Sequence, residues 1–172
     1  VKVTDPWPDT RDGDVAAEVA RWETEGGAVE KAENREAVAW FEDHTGEITL
    51  MVRATTLADL FAKGGEALAG LMLGNLDARG VETAHETVTL RAADRSGLLV
   101  AWLDELIYRA EIAKVVFTRF DVRVASDHEL AADIHGAAPT SFRNPVKAAT
   151  YHRLAVEQQA DGSYFARIVL DV

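Results

Sequence analysis

Apolar positions along this chain switch between two periods, and the switches mark its elements. Ala37 to Glu42 reads as a strand, and Glu47 to Ala54 alternates apolar and polar residues as a half-buried strand does. Leu57, Leu60, Phe61, Leu68, Leu71 and Met72 then recur on one face of a helix. Thr56 is placed to cap it, Asp59 supplies an acidic first turn, and Gly74-Asn75 is a stop. Gly64, Gly65 and Gly70 interrupt that helix, either weakening it or letting another backbone come close. Alternation returns over Glu82 to Ala92 with Val88 and Leu90 on one side. A second helix follows, capped by Asp94 or Ser96, with Leu98, Leu99, Trp102, Leu103, Leu106 and Ile107 on its inner face. Four further strands are expected at Val115 to Ala125, His128 to His135, Tyr151 to Gln158 and Ser163 to Asp171. Ala160-Asp161-Gly162 is a hairpin turn between the last two, and an irregular loop with Pro139 and Asn144 lies between Gly136 and Pro145. The order predicts an α+β fold: a mixed sheet with two main helices packed on one face.

Residues 1–36 break this rhythm. Pro6-Trp7-Pro8 and Asp12-Gly13-Asp14 are turn punctuation, and a short helix from Asp14 would bury Val15, Val19 and Trp22 before Gly26-Gly27. We read 1–36 as an N-terminal extension and 37–172 as the domain. The first residue is Val1 rather than Met, so sequence upstream is expected.

The chain of 172 residues is long enough for a real hydrophobic core. It has no cysteine, which excludes disulfides, thiolate metal sites and cysteine nucleophiles. No signal-peptide pattern or membrane-length apolar run appears, and a cytoplasmic location is expected. A net charge of −11 without clustered Lys or Arg argues against direct nucleic-acid binding and for a basic protein surface or cations. No phosphate-binding glycine loop, nucleophile elbow, zinc helix or EF-hand loop is present.

Two acidic features stand out. Asp43-His44-Thr45-Gly46-Glu47 puts three ligands or proton carriers just before a strand, and Asp171 precedes Val172 at the other end. If the fold brings Asp171 and a carboxylate of Val172 beside Glu47, the result is an oxygen-rich pocket for a hard cation. The five histidines, at 44, 85, 128, 135 and 152, show no metal-ligand spacing; His44 and His152 are singled out by their neighbours.

These blocks carry a family resemblance. Asp43 to Glu47, Leu99-Val100-Ala101-Trp102-Leu103-Asp104-Glu105-Leu106, Val116-Phe117-Thr118-Arg119-Phe120, Val146-Lys147-Ala148-Ala149-Thr150-Tyr151-His152 and Asp171-Val172 come in an order and spacing that resemble archease over Ala37 to Val172. The resemblance implies a small α+β protein that is not itself an enzyme. It implies a partner, a GTP-dependent RtcB-type RNA ligase of tRNA splicing and RNA repair, whose guanylylation and turnover it assists. It implies a divalent cation (Ca²⁺, Mn²⁺ or Mg²⁺) held by Glu47, Asp171 and Val172. Asp43, His44, Lys147, Thr150, Tyr151 and His152 are then supporting or partner-contact residues. The chain departs from the family pattern at Gly46-Glu47, where Ala-Asp is usual, and at Ala137, where an acid often follows the glycine. The alternatives are an interaction module with this fold but no metal, and a small metal-dependent hydrolase using Glu47 and His44.

Overall fold

A computed structural model of the chain describes residues 36–44, 46–74, 83–139 and 145–172. The extension read at 1–36, the loop residue Thr45 and the stretch holding Asn144 lie outside the described residues, apart from Glu36 itself.

The strands and helices follow the expected order: β1 (Val38–His44), β2 (Glu47–Ala54), α1 (Leu57–Leu73), β3 (Ala84–Arg91), α2 (Arg95–Ala113), β4 (Val116–Ala125), β5 (Glu129–Ala137), β6 (Ala148–Gln158) and β7 (Tyr164–Asp171). Both helices begin as their sequence demands. The Thr56 hydroxyl accepts from Asp59 N at 3.1 Å, and the Asp94 carboxylate, rather than Ser96, accepts from Gly97 N at 2.7 Å. Gly74 ends α1, its N–H donating to Gly70 O at 2.9 Å.

The α+β class with two helices holds, but the strands do not form one mixed sheet. They form two antiparallel sheets, β1-β2-β7-β6 and β3-β5-β4. Strand identity was readable from alternation, whereas partner choice depends on contacts between distant segments. Here β7 inserts beside β2, with Glu47 opposite Asp171 and Ala54 opposite Tyr164.

One core joins the layers. Leu50 and Val52 of β2, Ile168 and Leu170 of β7, Leu60 and Phe61 of α1, Leu99, Trp102 and Leu103 of α2, and Leu130 and Ile134 of β5 are all buried in it. Of the three α1 glycines, Gly65 is the tight one: a Cβ there would stand 2.9 Å from the Phe120 ring, so α1 approaches a side chain of β4 and not another backbone. Gly70 faces open space. No helix among the described residues is long and apolar enough to cross a membrane.

Candidate metal centre

Alternation along β2 fixes which side chains leave the core. Leu50, Val52 and Ala54 point to the helices, so Glu47 belongs to the opposite face, and on β7 the same parity separates Ala166, Ile168 and Leu170 from Asp171. Directly opposed residues of antiparallel strands share a face with Cβ atoms about 5 Å apart. The register therefore places Glu47 and Asp171 side by side on the outer face, both exposed. The row continues on either side, His44 pairing with Glu47 and Ala148 with Asp171. Gly46 makes the β1–β2 turn possible with φ of 82°, a backbone region that other residues resist.

The start of β6 fastens the far end of this row. Lys147 N donates to Asp171 O at 2.8 Å, and Lys147 Nζ donates to Val172 O at 3.0 Å. Lys147 is exposed, whereas Thr150, on the outer face opposite Val169, is partly covered. Thr150 is only half exposed, and its Oγ1 is buried with no hydrogen-bond partner. Tyr151 and His152 are exposed, while the side chains of Asp43 and His44 lie outside the described residues.

The donor set suits a hard cation in kind, because carboxylate oxygens are what Ca²⁺, Mn²⁺ and Mg²⁺ prefer. Glu47 and Asp171 supply two such groups on one face. Among the described residues, no group of three or more His, Cys, Asp or Glu side chains is gathered closely enough to hold a metal ion. A third anionic donor must come from elsewhere, and Val172 is the adjacent position.

Two features near or beyond the row escaped the sequence reading. Asp104 of α2 accepts from Ala149 N at 2.7 Å, tying the helix to β6. Burial pushes its carboxyl above the ordinary aspartate range, against the opposing pull of the Ala149 N–H. The folded chain therefore keeps a proton on Asp104 at pH values where the unfolded chain has lost it. Stability from this group falls as pH rises from the ordinary aspartate range through the raised value. Asp104→Asn keeps an acceptor and removes the buried charge, so its melting temperature at pH 7 should equal or exceed the parent's and its acid-side pH dependence should flatten. Asp104→Ala leaves the Ala149 N–H without its acceptor and should cost about 1–3 kcal/mol. Chemical denaturation across pH checks both, and equal losses in the two variants would contradict the account.

The second feature covers the outer face of the other sheet. His85 and His135 face each other across β3 and β5, their rings stacked at 4.4 Å. Asp133 accepts from the Thr87 hydroxyl at 2.7 Å, which holds its carboxyl below the ordinary range, with Arg123, His85 and His135 adding to the effect. His135 Nε2 lies 3.1 Å from Asp121. A cross-strand pair of this kind has no signature along the sequence, since it depends on register alone.

Residues 40–172 match the model of the Archease protein family. The chain is 33% identical over 138 residues to protein archease of Methanosarcina acetivorans, covering 76% of this chain and 92% of that one. It is also 33% identical over 143 residues to protein archease of Methanopyrus kandleri, covering 77% and 99%. The solution structure of Methanobacterium thermoautotrophicum protein 1598 superposes with a TM-score of 0.58 at 25% identity, over 78% of this chain and 98% of that one. The crystal structure of an archease and possible chaperone from Thermotoga maritima shares the fold at a TM-score of 0.52 and 18% identity, over 83% of this chain and 100% of that one. The family match spans Glu47, Asp171 and the whole of the β2 and β7 strands that pair them, and on this ground the chain belongs to the archease family.

Proposed function

We propose that this chain is a metal-binding accessory protein that activates a GTP-dependent RNA ligase of the RtcB type. It assists guanylylation and turnover of the ligase and performs no ligation itself. The observation behind the reading is the pairing of Glu47 with Asp171, both exposed at one end of the sheet, next to Val172. Glu47 and Asp171, with the carboxylate of Val172 where the chain ends there, would hold a Ca²⁺, Mn²⁺ or Mg²⁺ ion. Such an ion contributes positive charge that stabilises phosphoryl oxygens during nucleotidyl transfer. The chain's own residues prepare its seat. Backbone pairing of β2 with β7 brings the carboxylates together, and Lys147 pins the neighbouring backbone. Exposure at the sheet end lets the group be presented to a protein partner, and Tyr151 and His152 supply contact surface close by. A net charge of −11 suits a cationic pocket on the ligase better than bare RNA. That a Thermotoga archease carries the description of possible chaperone fits an assisting, non-catalytic role.

Glu47→Gln and Asp171→Asn should each weaken Mn²⁺ or Ca²⁺ binding by about tenfold or more, roughly 1.4 kcal/mol. Ligase activation should fall in parallel while the melting temperature holds. Calorimetric titration and a ligation assay with the host's RtcB-type ligase read these directly. Unchanged affinity in both variants would remove the shared site.

A second reading rests on a different observation. Among the described residues the donor set lacks a third acidic side chain, and Lys147 Nζ already serves Val172 O. On that reading the chain is an interaction module with the archease fold and no metal. Recovery of the ligase on immobilised chain separates the two: loss with chelator supports the metal-binding activator, and recovery indifferent to chelator supports the module.

A further inference from the structure

Strand β6 lies at the end of its sheet, next to β7, and its first stretch is thinly held. Ala148, Ala149 and Thr150 pair with Asp171, Leu170 and Val169. The ladder then breaks at a bulge, where Arg153 takes φ of 51°, and resumes at Ala155. Yet this stretch secures the far end of the Glu47–Asp171 row. Lys147, just before it, donates from its backbone to Asp171 O and from Nζ to Val172 O. Val146 and Ala149 are buried in the core, but apolar burial is non-directional and does not fix a strand lengthwise. The directional contact comes from α2, whose Asp104 carboxylate accepts from Ala149 N at 2.7 Å across 45 residues of sequence.

An N–H on the open side of an edge strand is ordinarily left to water. Here a half-buried carboxylate takes it, and the bond joins a helix to the strand end that grips Asp171 and Val172. We infer that Asp104 is a positioning residue for the cation seat: through Ala149 it keeps Lys147 where Lys147 can fix Asp171 and Val172 beside Glu47. The inference rests on the metal reading above and deepens it. Cation affinity follows the spacing of the donor oxygens. Groups behind the ligands set that spacing, and loss of one costs about 10–100-fold in metal affinity. Without Asp104 the start of β6 keeps three pairs to β7 before the bulge. Asp171 is then free to shift against Glu47, which its pairing with His44 holds from the other side.

The test is calorimetric Mn²⁺ titration of the full chain, joined to amide hydrogen exchange at Lys147 measured without metal. Asp104→Ala should bind Mn²⁺ about tenfold more weakly than the parent and exchange the Lys147 amide about tenfold faster. Asp104→Asn keeps an acceptor for Ala149 N and should match the parent in both. Trp102→Phe weakens the same helix without touching Ala149, and should bind Mn²⁺ as the parent does. Lys147→Met removes the Nζ donor, and combined with Asp104→Ala it should lose no more affinity than the larger single loss. Parent-like Mn²⁺ affinity in Asp104→Ala, equal losses in the Asn and Ala variants, or additive losses in the double variant would overturn the positioning role. A parent that takes up no Mn²⁺ would instead remove the metal reading. The exchange measurement then decides the hold on Lys147 by itself, and an unchanged rate in Asp104→Ala would overturn it.

Discussion

Trp102→Ala should cost about 3–5 kcal/mol, the range for removing a buried indole from a packed core. Trp102 is fully buried in α2, and its ring meets Phe120 of β4 edge-on with centroids 5.6 Å apart. Its Nε1 donates to Phe61 O of α1 at 2.9 Å. One side chain therefore links both helices to the second sheet. Alanine would leave a cavity beside the Phe120 ring and the Phe61 carbonyl, within a packed core poorly able to fill it. The melting temperature should fall by roughly 10–20 °C for a domain of this size. Trp102→Phe separates the contributions. It keeps most of the apolar contact and loses only the indole donor, and Phe61 O still has a helical donor four residues on, so the loss should be nearer 1 kcal/mol. A Trp102→Ala melt within a degree or two of the parent would refute this picture of the core.

Gly136→Ala should be nearly as damaging, by a different route. Gly136 lies in the middle strand of its sheet, pairing with Ala84 on one side and Phe117 on the other. A Cβ at this position would stand 2.4 Å from Val116 O and 2.8 Å from Phe117 Cα. Both obstacles are backbone, so no rotamer change relieves the clash, and β4 would have to move off β5. Overpacking of this kind costs about 3 kcal/mol. Gly70→Ala is the control: it meets nothing within 4 Å and sits in a helix, where alanine should stabilise by roughly 0.5–1 kcal/mol. Denaturant titration of the pair should give shifts of opposite sign, and matching shifts would contradict the geometry.

Local chemistry was legible in the sequence, and long-range pairing was not. Thr56 and Asp94 announced their helices because a cap needs only its own next turn. Asp161-Gly162 announced its hairpin for the same reason, Gly162 taking φ of 83°. The meeting of Glu47 with Asp171 was an expectation that alternation alone could not supply. It depends on β7 choosing β2 as its neighbour, and the archease resemblance suggested it before the register placed it. The division into two sheets, the His85–His135 stack and the use of Asp104 to hold Ala149 are likewise products of register and packing. Tyr151 to Gln158 read as a simple strand, whereas β6 begins at Ala148. The bulge that follows was hidden, because Arg153 is not a residue type that signals left-handed backbone.

The insertion of β7 beside β2 also sets the order in which this protein can be made. β1 and β2 can close as a hairpin soon after synthesis, yet the other edge of β2 stays open until β7, the last of the described strands, is available. Loop closure across nearly the whole folded unit is entropically costly and slows folding. The nascent chain therefore carries an unpaired β2 edge until β7 has been made, the kind of surface on which chaperones act and aggregation begins. The Glu47–Asp171 row cannot form before that pairing, so any activity it confers is confined to chains in which β7 has docked on β2.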